Sequence, residues 1–85
     1  MSTRVAVIAI IVENHDSVEA INALLHDAAD HVIGRMGVPY RERGISVISV
    51  ALDAPQNVIS ALSGRIGALP GVSAKTVYSN VISEA

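Results

Sequence analysis

The chain has 85 residues, with six Lys and Arg against eight Asp and Glu, a net charge of −2, 51% apolar residues and no cysteine. Such a length makes one domain with a thin stability margin, burying only a little over ~60% of its unfolded surface. The charge balance excludes a sequence-blind grip on nucleic acid, which needs a basic face, and the lack of cysteine excludes thiol catalysis, zinc–thiolate sites and disulfides.

Arg4–Glu13 is dense in β-branched residues and closes on Asn14-His15-Asp16. It reads as a strand buried on both faces. Its apolar run from Val5 to Val12 falls far short of the ~20 residues that span a bilayer and does not resemble a signal peptide, so the cytoplasm is the expected compartment and no membrane partner is expected. Asp16 or Ser17 then caps a helix; Asp16 as N-cap, with Glu19 three residues on, forms a variant of the capping box. Val18, Ile21, Leu25, Ala28 and Ala29 recur at three- and four-residue steps. They predict a helix with one apolar stripe, ending near Asp30 or His31.

In His31–Gly37, Val32 and Ile33 favour a second strand while Gly34 and Gly37 resist helix. Val38 to Gly44 is the expected connection, with Pro39 blocking regular pairing and Gly44 free to take positive φ. Ile45–Asp53 alternates, placing Ile48, Val50 and Leu52 on one face and Ile45, Val47, Ser49 and Ala51 on the other. This pattern predicts a central strand whose second face is small but still apolar. Asp53-Ala54-Pro55 opens a second helix, with Pro55 in its first turn and Val58, Ile59, Leu62, Ile66 and Leu69 as the buried stripe. Pro70-Gly71 stops it. Val72–Tyr78 is the fourth strand, and the tail after Asn80 is expected to be loose.

The order β-α-β-β-α-β with right-handed crossovers gives an α+β, ferredoxin-like fold as one domain over residues 1–85. Its four-stranded antiparallel sheet carries both helices on one face. Two helices cannot cover the other face, where Val7, Ala9 and Ile11 of the first strand lie with Ile45, Val47, Ser49 and Ala51 of the third. That face is therefore expected to be an interface between copies, in a dimer or tetramer. Gly64 and Gly67 are three apart, on nearly one side of the second helix. Each costs up to ~1 kcal/mol against Ala there, which close packing against the sheet or a neighbouring subunit would offset, so both are assigned to the interface as well.

Chemistry is sparse. His26 and His31 are five apart, about 140° round a helix, and His15 sits in the first turn, so the three show no metal-ligand spacing. Ser46, Ser49, Ser60, Ser63 and Ser73 lack an elbow or a paired base. No carboxylate interrupts an apolar stretch, and Asp16 and Asp53 are accounted for as caps. No catalytic residue, metal ligand or cofactor is assigned, and an enzyme is not expected. With only Tyr40 and Tyr78 aromatic, platforms for stacking bases or flat cofactors are few. The densest cluster of unusual residues is Gly34 to Arg41. There Gly34, Arg35, Gly37, Tyr40 and Arg41 could cradle an anion or the carboxylate of a small effector.

Leu24-Leu25-His26-Asp27, then Gly34-Arg35-Met36-Gly37-Val38-Pro39-Tyr40-Arg41-Glu42, then Ala61-Leu62-Ser63-Gly64-Arg65-Ile66-Gly67 with Pro70-Gly71-Val72 and Lys75-Thr76-Val77 resemble the iron-only hydrogenase system regulators. The resemblance runs from Val5 to about Tyr78 and implies a stand-alone ACT-like domain with an oligomeric habit. The implied fold is similar to the metal-sensing C-terminal domain of nickel-responsive repressors, but the alternating strand histidines and cysteine of that domain have no counterpart here. Nor does a Pro-Gly follow the first strand, as it often does in amino-acid-binding ACT domains; Asn14-His15-Asp16 stands there. The leading expectation is a regulatory or accessory protein of the iron-only hydrogenase system that self-associates and binds a small effector at a subunit interface. The alternatives are a metal-responsive transcriptional regulator acting through a partner, and a purely structural subunit.

Overall fold

Strands form where β-branched residues concentrate, and helices where the apolar spacing lengthens to three and four. The computed structural model describes residues 2–84. Strand β1 spans Ser2–Val12, helix α1 Val18–Asp27, strand β2 Val32–Tyr40, strand β3 Ile45–Ala54, helix α2 Gln56–Gly67 and strand β4 Val72–Glu84. The strands make one antiparallel sheet in the order β2-β3-β1-β4, the α+β, ferredoxin-like arrangement expected from the element order.

The core lies between the sheet and its two helices. Ile8 and Ile10 of β1, with Val50 and Leu52 of β3, meet Ile21 and Leu25 of α1 and Ile59 and Ile66 of α2. β-Branched and Leu side chains supply nearly all of this volume, and each fully buried one contributes about 1.5–3 kcal/mol.

Several boundaries differ from the sequence expectation, each for a local reason. β2 does not stop at Gly37 but runs through Pro39, which pairs with Ser46, to Tyr40. β2 is an edge strand, so an imino residue can turn its missing donor to solvent. Gly44 takes the left-handed conformation expected of it, at φ 64°, after a 3-10 turn over Arg41–Arg43. Of the two cap candidates Ser17, not Asp16, takes the N-cap position of α1, without a side-chain cap bond. The Asn14 side chain accepts from the Asp16 N–H at 3.0 Å, and Asp16 lies inside a 3-10 turn over His15–Ser17. α1 ends at Asp27, and a separate 3-10 turn covers Ala29–His31. Asp53 stays in β3, and Pro55 takes the N-cap position of α2 with no side-chain cap bond.

The segment after Asn80 is paired rather than loose. β4 shifts register opposite Arg4 and Ala6, then pairs Ile82 with Arg4 and Glu84 with Ser2. A bulge absorbs the extra residues, and β1 offers backbone partners from Ser2 onward. Arg4 fastens the bulge. Its Nη2 donates to the Ser79 carbonyl at 2.7 Å, its Nη1 donates to Gln56 Oε1 at 3.1 Å, and the guanidinium stands 4.9 Å from the Tyr78 ring centroid. At the other end of the sheet, the loop after β1 is tied to the loop before β4. The Glu13 N–H donates to the Gly71 carbonyl at 2.7 Å, and the buried Ser17 hydroxyl donates to the Pro70 carbonyl at 2.6 Å.

Candidate functional site

Residues that pair directly across strands share a face, so the register shows what the sheet presents on its helix-free side. One row crosses all four strands as Met36, Ser49, Ala9 and Lys75; a second as Val38, Val47, Ile11 and Ser73; a third as Gly34, Ala51, Val7 and Val77. Tyr40 and Ile45 extend the face at one end and Val5 at the other. The face is apolar apart from small hydroxyls, with Lys75 on the edge strand and Asp53 near the end of β3. Its side chains are open to solvent in a single chain: Val47 is 41% exposed, Met36 66% and Val77 69%. Every sheet residue assigned to the interface from sequence (Val7, Ala9, Ile11, Ile45, Val47, Ser49 and Ala51) lies on it. Met36, Val38 and Val77 join them, and only strand register places these three.

Gly64 and Gly67 stand elsewhere, exposed on α2 on the other side of the sheet. A Cβ at Gly64 would have nothing within 4 Å, and one at Gly67 would meet the Ala74 Cβ at an ordinary 3.6 Å. Close packing against the chain's own sheet therefore does not account for Gly64.

The Gly34–Arg41 cluster is divided by the fold. Gly34 and Tyr40 belong to the open face, where the Tyr40 hydroxyl donates to Glu42 Oε2 at 3.2 Å. Arg35 and Gly37 lie on the helix side, opposite Val50 and Ile48. Arg41 sits in the turn beyond the strand, about 20 Å of extended chain from Arg35. Arg35 instead joins Asn22 and His26 of α1 around a cleft of about 350 Å³, floored by Leu25, Val32 and Val50. A second cleft of about 310 Å³ between the helices mixes Asp27 with His31 and Arg65. Among the described residues no three His, Asp or Glu side chains gather as a metal site would require, and no helix is long and apolar enough to cross a membrane.

Three comparisons with known proteins bear on this geometry. The TM1266-like family, described as "Iron-only hydrogenase system regulator, putative", matches residues 4–76. No curated protein matches. Among solved structures, uncharacterized protein TM1266 from Thermotoga maritima superposes with a TM-score of 0.85 at 32% identity, covering 89% of this chain and 96% of that one. A formyltetrahydrofolate deformylase from Pseudomonas putida KT2440 superposes with a TM-score of 0.66 at 16% identity, covering 91% of this chain but 29% of the deformylase, a likeness of fold alone. With a family match across most of its length and a relative of one-third identity superposing over nearly its whole fold, the chain belongs to the TM1266-like family of iron-only hydrogenase system regulators.

Proposed function

We propose that the chain is a non-enzymatic regulatory or accessory protein of the iron-only hydrogenase system, working in the cytoplasm as a closed homo-oligomer joined through its open sheet face. The family supports the regulatory role. The observation that carries the self-association is the apolar face itself. A sheet face meant for water alternates to polar residues, and this one does not. The molecule measures 43 × 19 × 17 Å, so the sheet offers at most about 800 Å², the area each partner contributes to a standard stable interface. Ala9, Ser49 and Ala51 are small and central, which lets a second sheet approach to about 10 Å. A two-fold axis makes the patch complementary to itself. A further contact through the Gly64–Gly67 side of α2 would take a dimer to a tetramer.

Regulation then needs a ligand that binds one assembly state better than another. The Gly34–Arg41 stretch, which carries Arg35 and Arg41 and borders both the open face and the α1 cleft, is the proposed place for a small effector.

Substituting Val47 tests the self-association. Val47 sits between Ile11 and Val38 in the middle of the face. A lysine there would be buried unpaired between two sheets, at a cost of about 3–5 kcal/mol, or roughly a hundredfold or more in association. In a lone chain the same side chain reaches water. Val47→Lys should therefore give a monomer that still melts cooperatively, and the isosteric Val47→Thr should keep the assembly. A Val47→Lys protein with the parental mass by light scattering would sink the sheet-face interface.

A further inference from the structure

The cleft beside α1 has a chemical character of its own. Its polar groups are the Arg35 guanidinium, the His26 imidazole and the Asn22 amide, and no carboxylate is among the described residues that line it. Asn22 and His26 are four apart on α1, which puts them on one side of the helix. Arg35 reaches the same space from the helix side of β2, opposite Val50. Among the described residues none of these three side chains has a hydrogen-bond or ion-pair partner. Between them the accessible lining is apolar: Ala29 is exposed and Val32 half-buried, over the closed core residues Leu25 and Val50. The volume of about 350 Å³ lies at the low end of the roughly 300–1,000 Å³ typical of small-molecule sites.

We infer that this cleft binds a small organic carboxylate, its charged end held by Arg35 with His26 and Asn22 as further donors, and its short aliphatic body resting on Val32 and Ala29. A planar guanidinium matches a carboxylate with two parallel hydrogen bonds. The apolar floor selects against inorganic phosphate and other fully hydrated anions, which would leave that surface uncovered and lose part of their own hydration. A long or bulky body does not fit the volume. The inference rests on the reading of the chain as an effector-binding regulator, and narrows it by leaving Tyr40 and Arg41 outside the site.

Titration of the isotope-labelled 85-residue chain with isobutyrate, followed by amide and side-chain NMR shifts, tests it. Isobutyramide, a neutral isostere, and inorganic phosphate serve as comparison probes. The expected result is a saturable shift concentrated on Asn22–Ala29 and Val32–Arg35, seen with isobutyrate and not with either comparison probe. Arg35→Gln should weaken binding by about tenfold or more, since it removes hydrogen bonds from a charged donor. Arg43→Gln, which removes an equal charge from the turn after β2, should titrate like the parent. No saturable shift, an equal response to isobutyramide, a response to phosphate alone, shifts centred on Tyr40 and Arg41, or normal titration by Arg35→Gln would each overturn the assignment. Light scattering on the same samples separates this from the assembly reading: a monomer that binds isobutyrate contradicts the oligomer and leaves the cleft standing.

Discussion

Gly71 is the position where the fold leaves least room, and substituting it isolates one physical cost from another. It has φ 67°, and a Cβ there would stand 2.6 Å from the Asn14 Cβ and 3.0 Å from the Asn14 backbone nitrogen. Asn14 is poorly placed to yield. Its side chain accepts from Asp16 N–H, its carbonyl accepts from Ser17 N–H, and the bond from Glu13 N–H to the Gly71 carbonyl pins the two loops together. Gly71→Ala therefore carries two penalties: about 1–2 kcal/mol for a left-handed alanine, and about 1–3 kcal/mol for the displacement that relieves the overlap. The sum of about 2–5 kcal/mol is a large share of the roughly 4–13 kcal/mol expected for a chain of this size. At about 4–8 °C per kcal/mol for a small domain, the melting temperature should fall by about 8–40 °C. Gly44 supplies the control, because it has φ 64° but nothing within 4 Å of its would-be Cβ. Gly44→Ala should show the conformational penalty alone, a fall of roughly 5–15 °C. Thermal melts by circular dichroism at one protein concentration compare the two. Equal losses would refute the close approach of Gly71 to Asn14 as a source of specificity.

Other substitutions test separate parts of the account. Gly64 lies in the interior of α2 with open space around it, so Gly64→Ala should raise the melting temperature of a monomeric background such as Val47→Lys by several degrees, from up to about 1 kcal/mol of helix propensity. If the same change lowers the mass of the parental assembly, the glycine serves a subunit contact; a lower melting temperature in the monomer would contradict the open surroundings. Ser17→Ala removes a buried hydroxyl that bonds the Pro70 carbonyl at 2.6 Å and should cost about 1–3 kcal/mol, since an acceptor at the loop junction loses its donor. An unchanged melting temperature would show that water replaces the hydroxyl there.

Where periodicity reported burial, the sequence was a good guide. The alternation in Ile45–Asp53 and the three- and four-residue steps from Val18 and Val58 reappear as β3, α1 and α2, with Ile21 and Leu25, Ile48, Val50 and Leu52, and Ile59, Leu62 and Ile66 inward; Ala29, expected on the α1 stripe, is exposed in the 3-10 turn beyond it. Local rules failed where pairing overrode them. Pro39 reads as a strand breaker until β2 proves to be an edge, and the segment after Asn80 reads as a loose tail until β1 supplies a partner and Arg4 a fastening at Ser79. Asp16 and Ser17 both suit the N-cap of the first helix, and sequence alone does not rank them; the 3-10 turn over His15–Ser17, capped by Asn14, leaves the position to Ser17. The candidate site was harder still. The side of β2 on which Arg35 falls depends on a register shift between Val32 and Gly34, and a one-residue slip sends every side chain to the opposite face. His26 and Asn22 look like solvated helix residues until the strand brings Arg35 beside them.

Light scattering on the unmodified chain at tens of micromolar, with dilution from there, tests the central claim most directly. The open face predicts a discrete species of two or four chain masses that dissociates, if at all, only well below that concentration. A single-chain mass for a soluble, cooperatively folded protein would contradict it, and would mean that this apolar sheet face stays in water or awaits a different partner.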